Sequence, residues 1–513
     1  MHHTERMERA DTTPSRTVWV LGDQLNASFA ALAAASPDTH RVLMVESRTK
    51  VRSKSWHIQR AHLVICAMRR FASELSVAGW QVDYRRADSL ATGLRQHRAE
   101  FSPLSVEVME PASWSALRMV RDNECTVVRS NQFLCHYDEF AEWKSDWLRT
   151  RKTFKMEDFY RWQRRRLNYL MDGDEPVSGT WNHDAENREP PPKNARDRWP
   201  SPLVDELDDI DREVITELLP HCTGNEPVGL WATSREGALR RLRHFVDVLL
   251  PEFGPHEDAM TTENWHLAHS LLSPYLNIGL LTPKEVCDAV QQAFDAGRVP
   301  IASAEGFIRQ IIGWREYVWG LYWEGMPDYA TLNALDARRP LPPLFTTGAT
   351  SMRCMSTVMS EVREHGWAHH IQRLMLIGNL SLTAGVNPRE LTDWMWANFV
   401  DGAEWVMVPN VIGMSQYADG GIMATKPYAS GGAYIHKMSD YCKGCRYDRT
   451  KRTGDDACPF TTLYWDFMAR HQDRFVRNPR VAQQVRAAQR LGDIDEVRQH
   501  AVTVLRRLDA GEL

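Results

Sequence analysis

Cys442-Lys443-Gly444-Cys445 is a C-x2-C pair, and Cys458 follows after twelve residues with Pro459 directly behind it. Thiols at this spacing read first as metal ligands, and a fourth donor has to come from elsewhere in the chain. No other feature constrains the fold as strongly, because distant segments must converge on one point. Beyond the first 140 or so residues, the remaining cysteines are Cys222, Cys287 and Cys354. Cys354 lies in FTTGATSMRCMS, a loop-to-helix stretch that can leave its sulfur free to ligate. Iron–sulfur clusters take four thiolates, and Cys-Pro at the last ligand recurs among them. Zinc takes the same donors. Spacing leaves both open and makes a plain pair of buried thiols the poorer reading.

The first residues, MHHTERMERADTTPSR, hold no apolar run, so no signal peptide is expected. No stretch of about 18 uncharged apolar residues occurs, so no membrane span is expected either. A cytoplasmic chain with reduced thiols follows, in which nine cysteines are weak evidence for disulfides. A length of 513 residues exceeds one ordinary domain. The net charge of −5 excludes a uniformly basic DNA coat but not a local basic face. Nineteen tryptophans, many in the C-terminal half, read mostly as core. A few are candidates for relaying electrons to a redox cofactor.

Short β-branched runs at 17–22, 41–46, 81–84, 105–108 and 125–128 alternate with helical patterns, notably IQRAHLVICAMRRFASELSVA at 58–78. This alternation predicts a doubly wound α/β domain with a parallel sheet over residues 15–140. Ligands of such sheets sit at strand carboxyl ends, where Asp23 and Glu46 fall. Residues 141–230 read as an interdomain linker, rich in Pro, Asp, Glu and Asn towards its end. Residues 231–513 are predicted to be all helical.

Three blocks carry a resemblance: HSLLSPYLNIGLLTPKEV at 269–286, FIRQIIGWREYVWGLYW at 307–323, and HHIQRLMLIGNLSLTAGVNPRELTDWMWANFVDGAE at 369–404. With WVMVPNVIGMSQYADGGIMATKPYASGGAYIHKMSDYCKGC behind them, the chain resembles the iron–sulfur branch of the photolyase/cryptochrome superfamily, the bacterial (6-4) photolyases and their cryptochrome relatives. The resemblance implies the photolyase/cryptochrome fold, with an α/β antenna domain and a helical FAD-binding domain. It turns the cysteines towards a [4Fe–4S] cluster on Cys354, Cys442, Cys445 and Cys458. It implies FAD held by Ser270, Leu272, Ser273, Tyr275, Gln310, Trp314, Arg315, Arg373, Asn379, Asp401 and Glu404, with Arg373 and Asp401 paired beside the flavin ring. A 6,7-dimethyl-8-ribityllumazine antenna is implied near Asp23 and Glu46, although Arg48-Thr49-Lys50 and Lys54 depart from the acidic and aromatic residues expected there. Trp394 is implied as electron relay. A further aromatic expected just before Thr347-Gly348 is replaced by Phe345-Thr346, so Trp396 is an alternative.

The implied activity is light-dependent reversal of (6-4) pyrimidine–pyrimidone photoproducts in DNA, the lesion flipped out of the duplex into the pocket of a monomeric enzyme. A proton donor is then required, and histidine suits the task. His370 is assigned as general acid and His369 as its support, with Tyr428, Tyr434 and Lys426 contacting the lesion. Two basic runs are candidate DNA contacts: Arg161, Arg164, Arg165 and Arg166, and Lys443, Arg446, Arg449, Lys451 and Arg452. A blue-light receptor with the same cofactors is the alternative. A light-independent iron–sulfur nucleic-acid module is the other, and it predicts no flavin.

Overall fold

A computed structural model describes residues 14–52 and 55–513, so MHHTERMERADTT and Lys54 lie outside the described residues. Five strands form one parallel sheet: β1 (Arg16–Val20), β2 (His40–Ser47), β3 (Val82–Ala87), β4 (Val106–Met109) and β5 (Thr126–Val128). Their order is β3-β2-β1-β4-β5. The inner strands are apolar on both sides, as a sheet covered on both faces requires. Val18, Val20, Val42 and Met44 belong to one buried cluster, and Trp19, Leu43, Val45 and Val108 to another. Helix α1 (Ile58–Val77) brings Leu63, Ala67 and Phe71 to the first. Helices α2 (Leu90–Phe101) and α3 (Trp114–Asp122) bring Leu94, Leu117 and Val120 to the second. Ser89 and Ser113 cap the latter two helices through their side-chain oxygens.

The stretch 141–230 is built into the molecule rather than strung between domains. Helix α4 (Asp209–Leu218) packs on α1, where Arg70 of α1 reaches Asp208 and Asp211 at 2.6 and 2.8 Å. Asn187 donates to Ala302 and Glu257 of the helical half at 3.3 Å. Glu189 N–H donates to the Pro255 carbonyl at 2.9 Å.

The rest of the chain is helical, and four π-helical turns interrupt it: Phe245–Leu249, Arg309–Arg315, Arg373–Gly378 and Asn410–Ser415. Such turns sit preferentially at functional sites. Two of them fall inside the sequence blocks at 307–323 and 369–404, and the third follows directly. The halves meet where Leu25 N–H donates to the Ile278 carbonyl and Asn26 to the Gly279 carbonyl, both at 2.9 Å. Gly279 has φ +87°, and a Cβ there would stand 3.0 Å from Leu25 N. Among the described residues no helix is long and apolar enough to cross a membrane.

Candidate functional site

His370 is ringed by other side chains, yet 47 % of its own side chain is exposed, so it faces an opening rather than packed core. Its Nε2 stands 3.3 Å from Asp258 Oδ1. Burial alone lowers an imidazole's pKa. Here the hydrogen bond and charge of Asp258, joined by the charge of Glu257, outweigh it and raise His370 above the ordinary histidine value. His369 and His269 go the other way. Both are buried, and burial together with neighbouring histidines holds them far below the ordinary value. The rings of His269 and His369 stack at 4.6 Å and 17°, and His370 meets His269 edge-on at 5.6 Å. One ring nitrogen of each histidine lies within 4.8 Å of the others. Two stacked imidazoles, however, aim their in-plane lone pairs along parallel planes and do not converge on one ion. The trio therefore sets one imidazole of raised pKa beside two of lowered pKa.

Next to it, Arg373 grips Asp401 with two parallel bonds of 3.0 and 3.1 Å. Ser273 Oγ donates to the same carboxylate at 2.7 Å, and Asn277 donates to the Asp401 carbonyl at 2.8 Å. Arg373 also donates through Nε to Ala368 O at 2.6 Å and lies 3.9 Å above the Phe399 ring. Phe399 meets Trp394 edge-on at 5.8 Å, and Trp394 meets Phe345 at 5.1 Å while its Nε1 donates to the Phe345 carbonyl. Trp394 thus touches the Arg373–Asp401 pair through one ring. Ser270 lines a cleft of about 380 Å³ with His269, Leu271 and Tyr275. Leu272 is buried and directs its N–H to Ser270 Oγ at 3.3 Å. Tyr275 is buried, and its hydroxyl accepts from Ala232 N–H at 3.1 Å.

Other expected residues take different neighbours. Gln310 donates to Glu257 Oε1 at 2.7 Å, and burial first of all pushes the Glu257 carboxyl up to about 7. Trp314 is half-buried and meets Tyr317 edge-on at 6.3 Å. Arg315 is not beside Arg373 and Asp401. Its guanidinium is bonded to Glu316 at 2.6 Å and lies 4.1 Å above Phe133, an aromatic of the N-terminal half. Glu404 accepts from Tyr322 and Ser115 at 3.0 and 3.2 Å, which directs it to the seam between the halves. Asn379 is buried and exchanges hydrogen bonds with Ser430 at 2.8 and 3.1 Å. It fixes the KPYASGGAY loop that carries Tyr428 and Tyr434.

Tyr428 and Tyr434 have their hydroxyl pKa values raised, first by burial. Tyr434 also feels Asp258, the partner of His370, which brings it to the same space. Lys426 Nζ lies 5.6 Å from the Tyr428 ring.

The four cysteines line one cavity of about 340 Å³ with Ile435, Tyr441 and Phe460. All are free thiols. Gly432 backs the cradle, where a Cβ would stand 3.1 Å from Cys458 Sγ and 2.9 Å from Arg449 Cβ. Among the described residues no three of these sulfurs lie within 4.8 Å of one another. Tetrahedral zinc, with bonds of about 2.3 Å, holds its sulfurs roughly 3.8 Å apart.

Asp23 and Glu46 do sit at the ends of β1 and β2, and they differ. Glu46 accepts from Tyr84 at 2.9 Å and from Arg69 at 3.3 Å. Among the described residues the Asp23 carboxylate bonds no other residue's side chain, and burial raises its pKa against the pull of Lys50. Three arginines of the run 161–166 are spent on structure, while Arg161 is exposed near the Trp181 ring at 5.7 Å. Arg164 is buried and donates to the Leu170, Tyr169 and Trp181 carbonyls at 2.5–3.3 Å. Arg165 donates to Asp174 O, and Arg166 to Gln163 Oε1 at 2.9 Å. In the second run, Lys451 and Arg452 pair with Asp456 and Asp493. Three residues of the site escaped the sequence reading. Asp258 and Glu257 lie in an unremarkable GPHEDAM stretch, and His269 opens a block that had been read for its serines.

The family described as deoxyribodipyrimidine photo-lyase-related protein matches residues 18–225. A (6-4) photolyase of Agrobacterium fabrum is 40% identical over 511 residues, covering 96% of this chain and 100% of the relative. An uncharacterised protein of Acanthamoeba polyphaga mimivirus is 32% identical over 101 residues, 20% of this chain and 75% of its own length. Among solved structures, a bacterial class III photolyase from Agrobacterium tumefaciens matches with TM-score 0.58 and 16% identity, covering 99% of this chain and 100% of that one. A Synechocystis cryptochrome matches with TM-score 0.52 and 12% identity, covering 96% and 100%. These two speak to the fold alone. At 40% identity over the whole length of the relative, the chain belongs to the (6-4) photolyase family.

Proposed function

We propose that the chain reverses (6-4) photoproducts in DNA under light, with FAD, a [4Fe–4S] cluster and a ribityllumazine antenna as its groups. The single observation that carries the reading is His370, whose pKa is raised by Asp258 at 3.3 Å while much of its ring is left open. Unpaired polar atoms around that opening fit a polar cofactor. His269 Nε2, both ring nitrogens of His369 and one terminal nitrogen of Arg309 are buried without partners. An orphaned buried donor or acceptor costs about 1–3 kcal/mol, which a polar ring system placed among them relieves.

When bound, reduced FAD supplies the photo-excited electron. Arg373 offers positive charge at the ring edge, and Asp401 with Ser273 fixes its direction so that it is not an uncompensated buried charge. His370 delivers a proton to the oxygen or nitrogen that becomes basic once the lesion is reduced, and takes it back when the bond between the pyrimidines breaks. His369 and His269, held neutral, do not compete as donors. Tyr428 and Tyr434 supply aromatic faces and hydroxyls to the two linked pyrimidines of the extruded lesion.

Cys354, Cys442, Cys445 and Cys458 are the ligands of the cluster, a reading supported by sulfurs spread too widely for one zinc ion. Asp23, with its free carboxylate, is the stronger antenna contact of the two acids. Residues 231–513 carry catalysis and 15–140 the antenna, in a monomer acting in the cytoplasm beside the chromosome. The test irradiates the reduced protein with an oligonucleotide holding one (6-4) lesion. Restored thymines are expected. No repair by protein that retains FAD and binds the DNA rejects the enzyme in favour of a receptor.

A further inference from the structure

Most arginines of this chain are committed. Arg164, Arg165 and Arg166 cap carbonyls, and Arg69, Arg70, Arg85 and Arg86 are each shared among carboxylates. The segment RFVRNPR is different. Arg474, Arg477 and Arg480 are exposed and spaced three residues apart, and among the described residues none of them forms an ion pair or donates a side-chain hydrogen bond. Lys426 is half-buried and has no carboxylate partner either.

These cations are brought together by design of the backbone. Asn478 donates through Nδ2 to the Thr425 carbonyl at 2.9 Å and accepts at Oδ1 from Arg480 N–H at 3.0 Å. One side chain therefore clamps the residue before Lys426 to Arg480. Behind them Phe475, Val481 and Val485 pack with Tyr417 in a buried cluster that Ala429 touches, so the arginine segment and the KPYASGGAY loop move as one body. Lys426 lies over Tyr428, and Asn379 and Ser430 fix the same loop above the His370 space. Arg188 approaches from the other side, in range of Lys426, Tyr428 and Tyr434, while pairing with Asp184.

We propose that Lys426, Arg477 and Arg480, with Arg188 opposite, form the track that holds the phosphates of duplex DNA at the mouth of the lesion pocket. Like charges gathered without counter-ions repel one another, and an anion lying across them relieves that repulsion. A polyanion with regularly spaced charges fits better than a single small one, because Arg477 and Arg480 are three residues apart and Lys426 comes from another segment, so the cations are spread rather than wrapped around a point. The mouth position matters as well. A base extruded to Tyr428 and Tyr434 leaves its own phosphodiester outside, directly against this loop. The inference rests on the lesion-pocket reading above for its geometry, but not for its charge.

The test measures affinity of the full-length holoprotein for a fluorescent duplex, with and without one (6-4) lesion, across a salt series. Each phosphate contact contributes about −0.9 to the slope of log K against log salt. Arg477→Gln/Arg480→Gln is expected to flatten the slope by about 2 and to weaken binding of both duplexes roughly tenfold at low salt. Repair at saturating DNA is expected to be unchanged, so the loss appears in KM rather than kcat. Arg165→Gln/Arg166→Gln is the comparator and is expected to leave the slope as it was, because both side chains are committed to the protein's own acceptors. Flavin content and the melting temperature of each variant report whether the fold is intact. An unchanged slope in the first variant, or an equal change in the comparator, overturns the phosphate track. Because the slope is read on undamaged duplex too, a wild-type protein that repairs nothing would reject the photolyase reading while leaving this test decisive. Arg480→Glu supplies an independent check, since charge reversal is expected to weaken binding more than the neutral variants do.

Discussion

The proton chemistry comes down to one imidazole and one carboxylate. Asp258 raises the pKa of His370, whereas burial and His269 lower that of its tandem neighbour His369. A group whose pKa is raised keeps its proton until the pH passes that raised value. Repair is therefore expected to persist above the pH at which a free histidine would lose its proton, and to fall off on the alkaline side. Asp258→Asn removes the main influence opposing burial and is expected to shift that alkaline limb towards lower pH, measured in pH profiles of repair yield. His370→Ala is expected to lower the repair yield about 100- to 10,000-fold, the usual worth of a general acid, with DNA binding retained. Unimpaired repair in that variant would transfer the acid role elsewhere. The tandem histidines were plain in the sequence. Asp258, 112 residues away, was not, because nothing local marks a carboxylate that works only by tertiary proximity.

At the scale of elements, π-helical turns and a glycine cradle do the positioning. The π turn Arg373–Gly378 begins at the arginine that grips Asp401, and the turn Arg309–Arg315 begins beside Glu305 and Glu257. Around the thiols, Gly432 leaves room that any side chain would fill. Gly432→Ala is expected to strip most of the broad visible iron–sulfur absorption, since its Cβ meets Cys458 Sγ at 3.1 Å and Arg449 Cβ at 2.9 Å. Retention of a full complement of iron would refute this. Trp394 is joined to the Arg373–Asp401 pair by the Phe399 ring. Trp394→Phe is expected to slow light-driven reduction of the oxidised protein while protein reduced chemically beforehand repairs normally. The helical blocks themselves were legible as blocks. Their π turns were not, since a single extra residue per turn leaves the apolar spacing almost unchanged.

Across the whole molecule, the two halves are locked by backbone at close range. Leu25 and Asn26 reach Ile278 and Gly279, and the left-handed Gly279 stands where a Cβ would press on Leu25 N and Phe29. Gly279→Ala is expected to destabilise the protein by about 1–3 kcal/mol, read as a lower midpoint in denaturant unfolding. The stretch 141–230 shares in this assembly. Composition marked it as a linker because Pro and acidic residues break periodicity, but Arg70 with Asp208 and Asp211, and Asn187 with Glu257, tie it to both halves.

Periodicity by itself determined a parallel α/β domain followed by a helical one, and the cysteine spacing marked Cys442, Cys445 and Cys458 as candidate metal ligands in the second. Both follow from short-range chemistry: alternation reports which faces are buried, and thiols at fixed spacing report a shared ion. Tertiary structure alone decided how individual charges are used. Arg164 and Arg480 look alike in the chain, yet one is buried against three carbonyls and the other stands unpaired in solvent. Arg315 and Glu404 sit within the matched blocks, yet both point to the seam between the halves. A charged side chain is long, and its partner is set by which element folds against it, so its role is written in three dimensions rather than one.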